Sequence, residues 1–261
     1  MKFDKNVDPE LIAEYMEVQE RKKVLKNLLG EAFSSDFCNL EFSKILSSVG
    51  ANSESVILDL GANIGQQIKD TIDIGATIHA FEPHPVIFDL LVRGYGEYEN
   101  AILLNAAAGA SRGKFRLFYK GNAEDVNGGA TLLPWKVTGG DNVIDRMKKD
   151  STSKFADVDC YNISEYIENL GKKVKILKID VEGLEYAILD NLMKTGQIHN
   201  IEYILFEDHA DCFMYKTWFD IAIKSINRFK NSQIETKIMV WNGFSENNDQ
   251  ILSQIMSKNQ V

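Results

Sequence analysis

Apolar residues in the first fifty positions recur at three-to-four spacing: Leu11, Ile12, Tyr15, Met16 and Val18, then Val24, Leu25, Leu28 and Leu29. That period predicts a helix with one buried stripe, stopping near Gly30. A second periodic piece runs from Phe37 to Val49 and ends at Gly50. The plainest expectation is a helical extension over residues 1–50 that packs on a main domain over residues 51–261. A lid over a cleft and a contact between two copies of the chain are the sharper alternatives.

From Ser55 the pattern changes. Short apolar runs, Val56–Leu58, Ile78–Phe81, Ile102–Leu104, Val174–Ile179 and Tyr203–Phe206, alternate with helical stretches such as Pro85–Tyr95 and Gly183–Thr195. Runs of this length, rich in β-branched and aromatic residues, read as strands buried on both faces. Strand–helix alternation predicts an α/β fold with a mostly parallel sheet and right-handed crossovers. Gly121–Lys154 breaks the rhythm and reads as loop, and Thr236–Trp241 reads as an added edge strand.

Composition narrows the classes. The chain has 261 residues, 44% hydrophobic and 26% charged, which excludes disordered and fibrous proteins. No apolar run is long enough for a membrane span. The start, Met1-Lys2-Phe3-Asp4-Lys5, lacks the apolar centre of a signal peptide. Cys38, Cys160 and Cys212 lie too far apart for a disulfide framework or a paired-cysteine metal site, so a reduced, cytoplasmic protein is the expectation. A net charge of −9 argues against a nucleic-acid or anionic-lipid partner.

In an open α/β sheet, ligands bind beyond the carboxyl ends of the strands. The first strand ends in Asp59-Leu60-Gly61-Ala62-Asn63-Ile64-Gly65, whose glycines allow a tight turn and close ligand approach. The second ends in Phe81-Glu82-Pro83, with an acid at the spacing where a ribose diol is gripped. Together they predict an adenosine-containing ligand. Asp59 at the mouth of the loop would repel a pyrophosphate and attract a cation, which favours S-adenosylmethionine over NAD. Asn105-Ala106-Ala107-Ala108-Gly109 offers small residues beside which a flat adenine fits.

The fourth strand runs into Lys178-Ile179-Asp180-Val181-Glu182-Gly183, and an extended run would put Lys178, Asp180 and Glu182 on one side. The plain alternative is a Lys–Asp ion pair followed by an acidic helix start. The fifth strand ends in Phe206-Glu207-Asp208-His209. His209 is the best-placed of the four histidines to act as a base. Asp180 with Glu207 or Asp208 could hold Mg²⁺ through oxygen ligands.

These blocks resemble the FkbM-type S-adenosylmethionine-dependent methyltransferases: Val56–Gly65, then Ala80-Phe81-Glu82-Pro83, then Leu177-Lys178-Ile179-Asp180-Val181-Glu182-Gly183-Leu184-Glu185. Asn127-Gly128-Gly129-Ala130 is similar to a small-residue loop of that family. The resemblance implies a Rossmann-like methyltransferase domain with a seven-stranded sheet and methylation of an oxygen, often on a sugar in bacterial surface-polysaccharide biosynthesis. It implies that Asp59, Gly61, Ala62, Asn63 and Gly65 hold the methionine part of the cofactor. Glu82 and Pro83 would then meet the ribose, Ala107 would lie near the base, and Asp180 and Glu182 would face the acceptor. The absence of an Asp/Asn-Pro-Pro-aromatic turn after the fourth strand argues against nucleobase methylation. For the general base, Asp180 and His209 are the candidates, with Glu182 orienting the acceptor. The acceptor pocket is expected from Gly121–Asp150 and from the region of Phe213, Tyr215 and Trp218. A polyketide or other small-metabolite acceptor is the alternative, and a nicotinamide-dependent oxidoreductase or a non-catalytic cofactor-binding module are the rivals from other classes. A homo-oligomer stays open.

Overall fold

The computed structural model describes residues 9–119, 130–133, 154–209, 216–241 and 255. Strands β1 (Val56–Leu60), β2 (Thr77–Phe81), β3 (Ala101–Leu104), β7 (Val174–Ile179), β8 (Ile201–Phe206) and β9 (Lys237–Val240) form one sheet in the order β3-β2-β1-β7-β8-β9. Every pairing in it is parallel. Among the described residues the sheet thus has six strands, where the family likeness led us to expect seven.

Period-two alternation explains the two cores. Val56, Leu58 and Leu60 of β1 face one side, against helices α1 (Pro9–Ala32), α5 (Ile163–Leu170), α6 (Glu185–Thr195) and α7 (Lys216–Lys230). Ile57 faces the other, against α2 (Phe42–Ser48), α3 (Ile68–Asp73) and α4 (Pro85–Tyr95). A sheet covered on both faces needs apolar residues at successive positions, and β1 is buried at all five.

Helix α1 runs past Gly30 to Ala32. Its buried stripe is Val18, Leu25 and Leu29, a seven-then-four spacing that leaves Met16 and Val24 outside it, at 53% and 47% exposure. Beyond the helix, Ser34 takes the place of a strand residue at the outer edge of β9. Its N–H donates to the Ile238 carbonyl, and its own carbonyl accepts from Val240 N–H at 2.8 Å. Trp241 Nε1 donates to the Leu40 carbonyl nearby.

A second sheet, β4 (Ala107–Gly109), β5 (Gly113–Tyr119) and β6 (Lys154–Asn162) in the order β4-β6-β5, lies outside the strand pattern read from sequence. Thr131 bridges to Phe118 and so attaches residues 130–133 to it. The rest of the expected loop Gly121–Lys154, apart from Lys154 in β6, lies outside the described residues, as do Phe213 and Tyr215. Trp218 packs, partly buried, against the larger core.

Candidate active site

The strand order turns back between β1 and β7, and a cleft opens at their carboxyl ends. Gly61, Asn63, Glu82 and Pro83 line one wall, Ala107 and Ala108 lie on β4, and Asp180, Val181 and Glu182 line the opposite wall. Ala130 and Leu132 close on it from the second sheet.

The loop after β1 is tied down by the end of β2. Gly61 and Ala62 both donate to the Phe81 carbonyl, and the Glu82 carboxylate accepts from Asn63 N–H at 2.9 Å and His84 N–H at 2.7 Å. His84 in turn caps α4. Burial pushes the Glu82 carboxyl up to about 7, against the pull of those two N–H donors. Gly61 needs to be glycine: its φ is +86°, and a Cβ there would lie 1.8 Å from the Asp180 carbonyl oxygen. Gly65 instead packs on Tyr95 and Leu91. Ala62 is fully buried, and neither it nor Gly65 is among the residues that line the cleft.

Asp59 does not line the cleft either. It is fully buried, and the cation it attracts is the chain's own: Lys178 Nζ lies 3.1 Å from Asp59 Oδ1, 3.2 Å from Asp180 Oδ2 and 2.9 Å from the Gly61 carbonyl. Burial opposes a charge on Lys178, but the two carboxylates outweigh it and hold the ammonium protonated well above its ordinary range. Burial raises Asp59, partly offset by Lys178. Burial also works against an ionised Asp180, yet Lys178 and His209 hold it below the usual carboxylate range.

The extended run expected through Lys178, Asp180 and Glu182 stops at Ile179. Glu182 sits at φ 61° and Gly183 at 122°, so the chain turns sharply. The Glu185 carboxylate stabilises that turn by accepting from Val181 N–H and Gly183 N–H, while Thr131 Oγ1 donates to the Glu182 carbonyl at 2.7 Å. Asn63 and Glu182 are the non-glycine residues with positive φ among those described, and both line the cleft. Local strain of this kind collects where a side chain must be aimed.

The turn still brings Asp180, Glu182 and His209 together. One donor atom from each lies within 4.8 Å of the others. His209 Nδ1 is 2.9 Å from Glu185 Oε1, and Nε2 is 3.4 Å from Glu182 Oε2 and 3.8 Å from Glu207 Oε1. Glu207 is pushed up to about 7, chiefly by burial and next by the charge of Asp180. Asp208, expected beside Asp180, accepts from the Tyr186 hydroxyl at 2.7 Å instead. Lys178, Glu185 and Thr131 are the contributors that motif reading did not assign to the site. Lys178 and Glu185 stood within the quoted block, while Thr131 carried no signal.

Among the described residues, three buried acceptors in the loop region, Asp59 Oδ2, Asn63 Oδ1 and Gln67 Oε1, have no hydrogen-bond donor. Of these only Asn63 lines the cleft, and with Asp180 and Glu182 it suits a cationic ligand bearing an ammonium and hydroxyls better than one bearing phosphates.

A doubly covered parallel sheet with a cleft at its switch point is consistent with a Rossmann-like methyltransferase fold. The model of the FkbM methyltransferase domain matches residues 59–230, more than half of the chain, and the protein belongs to that family. No curated protein and no solved structure gives a significant match.

Proposed function

We propose that the protein transfers the methyl group of S-adenosylmethionine to a hydroxyl oxygen of a neutral sugar. The observation that carries this reading is the meeting, in one cleft, of the Glu82-braced glycine loop with Asp180 and Glu182, beside which His209 brings a donor atom within 4.8 Å of both without itself lining the cleft. The chemistry that S-adenosylmethionine would supply there is an electrophilic methyl group whose bonding electron pair leaves with a neutral thioether. Glu82 would accept from the ribose hydroxyls, and Asn63 and the Gly61 backbone would hold the methionine part. Asp180 and Glu182 hold the acceptor hydroxyl in line, which supplies much of the acceleration. His209 removes its proton, because an alcohol is a poor nucleophile while it keeps it.

The charge of the cleft bears on the acceptor. Asp180, Glu182 and Glu207 outnumber the nearby cations, so an acceptor carrying phosphate or carboxylate beside the reacting hydroxyl is disfavoured. Assembly of a surface polysaccharide is the role we assign, on family likeness, and a small-metabolite hydroxyl is the second choice. The test is methylation, with labelled S-adenosylmethionine, of a panel of neutral hexosides and their uronic acid counterparts. Label in the neutral members supports the reading; label only in the uronic acids, or in none, removes it.

A further inference from the structure

We infer that Glu185 is the positioning residue that fixes which nitrogen of His209 faces the acceptor, an inference that rests on His209 being the base. Glu185 is fully buried in the first turn of α6 and is not among the residues that line the cleft. Its Oε1 accepts from Val181 N–H at 3.1 Å and Gly183 N–H at 3.0 Å, and its Oε2 accepts from Gly183 N–H at 3.0 Å. A carboxylate engaged by two backbone donors meets the imidazole as an acceptor. Nδ1 of His209, 2.9 Å away, makes the shortest of the ring's carboxylate contacts, Nε2 lying 3.4 Å from Glu182 and 3.8 Å from Glu207, and so is the nitrogen that keeps its hydrogen when the ring is neutral.

That assignment leaves Nε2 as the basic nitrogen, and Nε2 is the atom turned toward Glu182 on the cleft wall. The acceptor's O–H bond breaks toward Nε2 as its oxygen bonds to the methyl carbon. The resulting imidazolium is flanked by Glu185, Glu182 and Glu207, with Asp180 close by. One buried side chain thus holds both the turn that carries Glu182 and the ring that takes the proton. A base held in one tautomer by a buried carboxylate is a general device for making an alcohol nucleophilic.

The test combines spectroscopy with kinetics on the full chain. Two-bond ¹H–¹⁵N correlation spectra of histidine-labelled protein at alkaline pH report each neutral ring's tautomer, with His209 assigned from its loss in His209→Asn. We expect hydrogen on Nδ1 of His209 in the unaltered protein; hydrogen on Nε2 overturns the inference without any variant. In Glu185→Gln, turnover of the neutral hexoside most readily methylated in the panel should fall at least about tenfold. The affinity for S-adenosylhomocysteine should stay within about twofold, since Glu185 does not line the cleft. Unchanged turnover in Glu185→Gln beside an inactive His209→Asn overturns the role of Glu185 alone. Full turnover in His209→Asn overturns the base assignment on which that role rests.

Discussion

Asp59 and Lys178 are register partners across β1 and β7, and their side chains meet at 3.1 Å in the buried layer beneath the cleft. In the sequence a Lys–Asp ion pair was legible only as the plain alternative for the Lys178, Asp180 and Glu182 block, and nothing there paired Lys178 with Asp59. The position of the Asp59–Lys178 pair makes it the electrostatic floor of the site: Lys178 also reaches Asp180 and the Gly61 carbonyl, so one ammonium joins both walls.

Lys178→Met should therefore leave Asp59 as an uncompensated buried charge and destabilise the protein by about 3 kcal/mol. Chemical denaturation checks this. Asp59→Asn combined with Lys178→Met should recover most of the loss, because the stranded charge is gone; a double variant as unstable as Lys178→Met would show that the pair is not what matters.

Glu82 ties cofactor binding to pH. In the ligand-free protein burial raises its carboxyl from 4.5 to about 7, while ribose hydroxyls donate best to the ionised form. Affinity for S-adenosylhomocysteine should then rise about tenfold between pH 6 and pH 8. Calorimetry in buffers of different ionisation enthalpy should also detect proton release on binding near neutral pH. Glu82→Gln should abolish the pH dependence and weaken binding by about 10- to 100-fold. The sign for folding is opposite. A native value above the unfolded one means that Glu82 favours the fold at low pH, and this contribution fades as pH climbs from 4.5 to about 7.

Gly61→Ala should eliminate cofactor binding and lower the melting temperature by several degrees. Both the positive φ and the close approach to the Asp180 carbonyl forbid a side chain there. Gly171→Ala makes the comparison: it shares a positive φ but has open space around it, so it should affect stability mildly and cofactor affinity not at all.

Methyl transfer should survive EDTA. Asp180, Glu182 and His209 bring donor atoms close enough to share a divalent cation, yet Lys178 already supplies positive charge at Asp180. Loss of turnover in EDTA that Mg²⁺ restores would assign the proton's removal to a metal-activated hydroxyl instead.

The strands of the main sheet were legible because burial on both faces writes apolar residues at successive positions, as in Tyr203–Phe206. The second sheet was not. Its β5 mixes Lys114 and Arg116 with Phe115 and Leu117, and its partner β6 follows only after a long polar stretch. At the site, the strand-end residues Glu82, Asp180 and His209 could be named from position alone. Their partnerships could not, since Glu185 meets His209 only through the packing of α6 against the ends of two strands. The sharp turn at Glu182 was likewise hidden, because it depends on a capping carboxylate two residues beyond the glycine.

Ser34 has a consequence for how the protein behaves in concentrated solution. A parallel edge strand with open N–H and C=O groups is a template for another chain, and β9 would be one. The two hydrogen bonds of Ser34 occupy central groups of that edge, and Trp241 Nε1 donates to the Leu40 carbonyl. Removing the first fifty residues would thus bare a strand as well as delete a helix. The shortened protein is expected to self-associate through β9, so the N-terminal helices guard solubility whatever else they do.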